Sequence, residues 1–186
     1  MERQLTEQLG VSRSVVREVI RYLEAEGLIE TLPKKGPIVA VLSWKNAEQI
    51  YKIRMLLEQE AAQDCAKLAS DDDKTVLHGQ LLKIAEASRK HDDIKRIEAS
   101  QAFYETLFRV AKHTIAWEIV QRLNGHISRL RALTLASPER QIAGFERMSH
   151  IYEAIASNDP AEAKQAVLDH LSEASQLAKQ ILSRQE

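Results

Sequence analysis

The feature that most constrains this chain is a helical repeat of apolar residues that starts after Ser43. In the first segment, residues 44–68, one helical face carries Ile50, Ile53, Leu57, Ala61 and Cys65. The same spacing predicts five further helices, over residues 74–90, 92–111, 115–135, 139–157 and 161–183. Only residues 29–42 have the short β-branched runs that are typical of strands. The sequence therefore predicts a mainly α protein.

Composition narrows the class of protein. A length of 186 residues suits one full domain and a small one, and the net charge of −1 limits any nucleic-acid contact to a local basic patch. With a single cysteine, Cys65, an intramolecular disulfide is excluded, as expected in a reducing compartment. No apolar run approaches the ~20 residues of a membrane span, and the first residues are too polar for a signal peptide. We expect a soluble cytoplasmic protein.

The start of the chain has a different organisation from the rest. Two short helices, Glu2–Leu9 and Arg13–Glu26, are predicted on either side of Gly10, with Ser12 as the cap of the second. A hairpin of Ile29–Leu32 and Ile38–Leu42 follows, around a basic turn. Helix, tight turn, helix and hairpin is the order of a winged helix-turn-helix. We therefore expect a DNA-binding domain over residues 1–43 and a helical domain over residues 44–186.

The second helix separates charge from apolar surface. Arg13, Arg17 and Arg21 are spaced by four and share one stripe. A different arc, which can face the core, carries Val16, Val19, Ile20 and Leu23. Arginine binds both phosphate and the major-groove edge of guanine, so this layout predicts a recognition helix, with Lys34 and Lys35 at the wing tip on backbone phosphates. A solvated surface face is the alternative explanation of the three arginines.

The segment ERQLTEQLGVSRSVVREVIRYLEAEGLIETLPKKGPIV, Glu2–Val39, resembles the winged helix-turn-helix of the GntR family of regulators. The DNA contacts that this resemblance implies are Arg3, Ser12, Arg13, Ser14 and Arg17. It also implies that the wing around Gly36 enters the minor groove. Family members carry another helix and a short strand before this point. We therefore expect a truncated head that lacks its first helix and is loosely ordered or packs unusually.

The remainder, residues 46–184, resembles the six- or seven-helix effector domain of the FadR subfamily, called FCD. The resemblance rests on the order and spacing of three segments, IYKIRMLLEQEAA, AFYETLFRVAKHT and SHIYEAIASNDPAEAKQAVLDHL. Many such domains hold a divalent metal between an Asp, a His one helical turn later and two further His. The positions that correspond to these ligands are Ser100, Tyr104, His150 and His170.

Two histidines alone rarely hold an ion tightly, and neither serine nor a protonated phenol replaces the missing ligands. A degenerate zinc or nickel site at His150 and His170 stays as one alternative. The preferred hypothesis is a metal-free pocket, where Tyr104, His150 and His170 donate hydrogen bonds to a small organic acid.

Other residues complete this hypothetical pocket. Arg54 resembles the arginine that lines the family's pocket, and a guanidinium recognises a carboxylate through two hydrogen bonds. Ser100 adds a hydroxyl, and Arg129 is a weaker candidate for the role of Arg54.

The resemblance implies a homodimeric transcription regulator, acting as a repressor on a double-stranded DNA operator, whose affinity is controlled by a small carboxylate metabolite. The alternative is a dimerising, ligand-binding module that binds DNA weakly because its head is truncated. An enzyme is disfavoured because the sequence contains no HExxH motif, no Gly-rich phosphate loop and no nucleophile elbow.

Overall fold

A computed structural model describes residues 2–25, 27–33, 35–135 and 138–184 of the chain. The chain divides into two compact units, Met1–Leu42 and Ser43–Glu186. The division falls where the sequence changes from the hairpin to the long helical repeat.

The first unit contains two helices and a hairpin. The helices are α1, Glu2–Leu9, and α2, Arg13–Ala25, and the strands are β1, Ile29–Leu32, and β2, Gly36–Val39. The strands are antiparallel, with Ile29 opposite Val39 and Leu32 opposite Gly36. The predicted boundaries of β2, Ile38–Leu42, were wrong, because Gly36 takes a φ of +79° and starts the returning strand directly after the turn.

The apolar arc of α2 is buried less completely than the sequence predicts. Val16 is buried, Ile20 and Leu23 are partly exposed, and Val19 is 50% exposed. The prediction that Val19 faces the core was therefore wrong. Among the described residues of this unit only Val16 is fully buried, so α1 and the hairpin cover a narrow strip of α2.

The second unit is a bundle of helices. In the described part of the chain these are α3 Trp44–Leu68, α4 Asp71–Arg89, α5 Asp93–Val110, α6 Thr114–Arg122, α7 Asn124–Leu135, α8 Pro138–Ala156 and α9 Pro160–Leu182. Helix α3 packs along α9, α4 packs against α5, and α8 contacts both α9 and α4. The fold is mainly α, as the sequence predicts.

The ends of these helices follow local chemistry. Ser43, Ser70, Asp92 and Asp159 each accept a backbone N–H at the start of a helix, and Ser70 with Asp73 forms a full capping box.

The single helix predicted over residues 115–135 is two helices, because the backbone tightens at Leu123. Its N–H bonds to the carbonyls of Gln121 and Val120, just before the weak helix formers Asn124 and Gly125.

The bundle core is made of aliphatic and aromatic side chains. Its largest fully buried apolar members include Tyr51, Phe103, Phe108, Leu107 and Ile151. Cys65 is fully buried as well, and burial raises the pKa of its thiol to about 12, so the thiol stays protonated. Among the described residues, no helix has the length and apolar character needed to cross a bilayer.

Candidate DNA-binding surface and effector cavity

Helix α2 presents its arginines to solvent. Arg13, Arg17 and Arg21 are all exposed, and their spacing of four places them on one side of the helix. Arg17 Nε donates to Glu2 Oε2 at 3.0 Å, which ties α2 to α1. Arg3 Nε donates to Glu7 Oε1 at 2.9 Å within α1. Exposed ion pairs of this kind are weak, so a phosphate can displace the carboxylate from either guanidinium.

The turn between α1 and α2 and the tip of the hairpin carry the other predicted DNA contacts. The hydroxyls of Ser12 and Ser14 lie 2.8 Å apart, and Ser12 Oγ also accepts the Val15 N–H at 3.4 Å. Lys35 is exposed beside Gly36. Lys34 lies outside the described residues. The exposed cations of this unit therefore include the α2 stripe and at least one lysine of the hairpin turn.

The helical unit encloses a cavity of about 50 Å³. That volume holds about four water molecules, which suits a compact ligand. The described side chains around it come from every helix of the bundle except α6. They include Tyr51, Arg54, Ile84, Ser88, Arg96, Ser100, Tyr104, Arg131, Thr134, Phe145, Met148 and His170. Three of these residues are arginines and none is Asp or Glu, so the described lining is strongly cationic.

Arg54 forms a buried ion pair in the wall of this cavity. Its Nε donates to Glu58 Oε1 at 2.7 Å and its Nη2 to Glu58 Oε2 at 3.2 Å, and both side chains are almost fully buried. Burial by itself lowers the pKa of Arg54, but the Glu58 carboxylate outweighs it and the pKa is raised. The predicted pocket arginine thus lies at the cavity with its charge already matched by a carboxylate.

Tyr104 lies between two guanidinium groups. The Cζ atoms of Arg54 and Arg131 are 6.0 and 5.6 Å from its ring centroid. Burial, together with Glu58, raises the pKa of Tyr104, so its hydroxyl stays protonated. Burial and the nearby positive charge of Arg54 lower the pKa of Arg131 to about 10. At neutral pH this end of the cavity therefore keeps both guanidinium charges and a neutral phenol.

Arg96 supplies a third guanidinium, one helical turn before Ser100. Its side chain is 3% exposed and its Nη2 contacts Asp93 Oδ1 near the surface. Its Nε and Nη1 are buried and make no hydrogen bond within the described residues. The Ser88 hydroxyl and the Tyr104 hydroxyl are in the same condition, although Tyr104 lies near Glu58. Buried donors without partners are costly, so these atoms are suited to receive a polar ligand.

The two predicted histidines occupy different environments. His170 lines the cavity, whereas His150 is not among the described lining residues. The His150 Nε2 lies 3.0 Å from Glu162 Oε1, with both side chains almost half exposed. The structure therefore brings Arg54, Ser100, Tyr104 and His170 to one cavity and places His150 in a separate ion pair.

The residues present do not fit the divalent metal that the family implies. Ser100 Oγ donates to the Arg96 carbonyl at 2.8 Å, and the phenol of Tyr104 stays protonated. The guanidinium groups of the lining repel a cation. In the described part of the chain, no cluster of three or more His, Cys, Asp or Glu has the arrangement of a metal site.

Sequence reasoning missed Glu58, Arg96 and Arg131. A signal was present for each: Glu58 lies four residues after Arg54 on the buried face of α3, and Arg96 lies four residues before Ser100. Arg131 follows Ile127 by the same interval. A charged residue on an otherwise apolar helical stripe indicates a buried polar site. Arg131 lies on such a stripe with Ile127, so this criterion selects Arg131 rather than Arg129.

Two family models match the chain, one on each unit. The FCD domain matches residues 49–173, and the gntR family of bacterial regulatory proteins matches residues 1–39. The FCD match includes the cavity-lining residues from Tyr51 to His170.

Curated relatives match along almost the whole chain. The HTH-type transcriptional regulator YdhC of Bacillus subtilis is 30% identical over 182 residues, which is 97% of this chain and 81% of that protein. The HTH-type transcriptional repressor RspR of Escherichia coli K12 is 27% identical over 186 residues, which is 97% of this chain and 79% of that protein.

Solved structures share the fold. A transcriptional regulator from Rhodococcus sp. RHA1 superposes with a TM-score of 0.83 at 18% identity, over 97% of this chain and 86% of that chain. Escherichia coli McbR/YncC superposes with a TM-score of 0.80 at 19% identity and the same coverage. At these identities the superpositions show a shared fold.

Proposed function

Since the chain belongs to the GntR family of DNA-binding transcription regulators and has an FCD domain, we propose that it is an effector-controlled repressor. In this proposal residues 1–43 bind the operator and residues 44–186 bind a small carboxylate metabolite. The protein acts in the cytoplasm as a homodimer, with one head on each half of a near-palindromic site. Binding of the acid lowers operator affinity and relieves repression.

The observation that carries this proposal is the arginine-lined cavity of the helical unit. A cavity whose described lining contains three guanidinium groups, only one of them matched by Glu58, favours an anion. Arg54, Tyr104 and His170 stand at its wall, together with Ser100, whose O–H is donated to the Arg96 carbonyl. The exposed arginine stripe of α2 supports the other half of the proposal, because a recognition helix needs free cationic groups on its outer face.

One experiment tests operator binding and effector binding together. A preferred duplex is first selected from a random DNA library, and its affinity is then measured by fluorescence anisotropy with and without a panel of short carboxylic acids. We expect an acid that binds the chain to weaken duplex binding by about 5- to 150-fold, the usual range of allosteric coupling.

Arg131→Gln removes one cavity charge and should abolish the response without changing the affinity of the ligand-free protein for DNA. Arg122→Gln changes an exposed arginine of α6 and should leave the response intact. An acid that binds tightly while duplex affinity stays constant would contradict the proposal.

One observation favours a second function, a dimerising sensor that binds DNA weakly. Among the described residues of the first unit only Val16 is buried, so few packing contacts hold α2 in position. In that case the salt dependence of DNA binding would be close to zero, because few phosphates would be neutralised.

A further inference from the structure

The cavity contains more positive charge than one carboxylate needs. Arg54 is matched by Glu58, with both of its donating nitrogens on that carboxylate. Arg131 makes no ion pair with any carboxylate in the described part of the chain, and its contact is with the face of Tyr104. Arg96 has one nitrogen on Asp93, whose side chain is 55% exposed, and two buried nitrogens with no partner. Within the described residues, Arg131 and two nitrogens of Arg96 therefore line the cavity without a carboxylate partner.

These two groups lie on different walls. Arg96 belongs to α5 and Arg131 to α7, and both line the same cavity. The Ser88 hydroxyl, on α4, has no partner among the described residues and adds a neutral donor, and the Tyr104 hydroxyl, on α5, lies at the cavity close to Glu58. One carboxylate accepts hydrogen bonds from two or three donors that lie on the same side of a ligand. Donors on separate walls of the cavity therefore require separate acceptor groups on the ligand.

We propose that the effector is a compact organic dianion with two carboxylates, one held by Arg131 with Tyr104 and the other by Arg96 with Ser88. In this arrangement Arg96 is the residue that distinguishes a dicarboxylate from a monocarboxylate. The assignment rests on the proposed effector site. The low pKa of Arg131 agrees with it, since burial and Arg54 disfavour its charge, Glu58 offsets them only in part, and an anionic ligand would add to that offset.

Matched pairs of acids provide the test. Calorimetry at neutral pH on the full chain compares malonate with propionate, succinate with butyrate, and glutarate with valerate, because each pair has the same number of carbons. We expect at least one dicarboxylate to bind at least tenfold tighter than its partner, with the same affinity when a chelator is present. Equal affinities within every pair, an absence of binding, or a loss of binding with the chelator would overturn the inference.

A substitution tests whether Arg96 causes the preference for a dicarboxylate. Arg96→Gln should reduce the affinity for the preferred dicarboxylate at least tenfold and change that of the monocarboxylate by less than about threefold. Arg122→Gln, on the exposed side of α6, should change neither. If Arg96→Gln does not fold, Arg131→Gln serves as the second variant and should weaken both acids. A folded Arg96→Gln that keeps the full preference would overturn the assignment.

Duplex binding is followed in the same samples to separate the two proposals. A dicarboxylate that binds tightly without changing duplex affinity would remove the proposed regulation and leave this inference standing. A monocarboxylate that changes duplex affinity, while no dicarboxylate is preferred, would support the proposed regulation and overturn the inference of a dicarboxylate effector.

Discussion

Glu58→Gln should destabilise the helical unit by about 3–5 kcal/mol, the typical cost of removing one partner of a buried ion pair. The substitution keeps the size of the side chain and removes the charge that faces Arg54, which is 2% exposed. Arg54 is then left buried near Arg131, so two like charges oppose each other around Tyr104. Urea unfolding followed by circular dichroism measures the change.

The same helix offers a matched control. Glu48 and Lys52 form an exposed pair at the same spacing of four, 3.2 Å apart. Glu48→Gln should cost less than about 0.5 kcal/mol, because exposed pairs on helices contribute little. Replacing both partners, Arg54→Met with Glu58→Met, should recover part of the stability that Glu58→Gln loses. Equal losses from Glu48→Gln and Glu58→Gln would contradict the buried ion pair.

Replacing Arg13 and Arg17 by alanine should weaken binding to the selected duplex by about 2–6 kcal/mol, at least a thirtyfold loss. Both side chains are exposed on the outer side of α2, and each is expected to contact a base edge or a phosphate. Arg17 first has to leave Glu2, but an exposed pair offers little resistance. Fluorescence anisotropy at fixed salt provides the measurement.

The control removes the same charge elsewhere. Arg89 and Arg122 are exposed helical arginines of the second unit, and their double replacement by alanine should leave duplex affinity within about twofold. Circular dichroism of both double variants establishes that their helices remain. An unchanged affinity for Arg13→Ala with Arg17→Ala would show that α2 is not the recognition helix.

The sequence predicts the fold class well because helical spacing and capping residues are local signals. The helix predicted to start after Ser43 starts there in the structure, whereas the helix predicted from residue 74 already begins at Asp71. The break at Leu123 was missed because the apolar spacing continues across it, while the tightening depends on the backbone around Asn124. The exposure of Val19 was missed for another reason: the width of a buried stripe depends on what packs against it.

The site is harder to predict than the fold. Arg54 and Tyr104 were identified through the family resemblance, and their positions at the cavity agree with that hypothesis. The pairing of Arg54 with Glu58 was not predicted, because i, i+4 pairs are common and their burial depends on the other helices. Arg96 and Arg131 reach the cavity from helices far apart in sequence, and no local pattern brings them together.

The salt dependence of duplex binding tests the central claim most directly, because a recognition helix that neutralises phosphates must release counterions. The logarithm of the association constant, plotted against the logarithm of salt concentration, should fall with a slope steeper than about −3 for the unmodified chain. In Arg13→Ala with Arg17→Ala the slope should become shallower by about 0.9 for each phosphate that an arginine no longer neutralises. A slope near zero for the unmodified chain would contradict the account and leave a helical sensor that does not act on DNA.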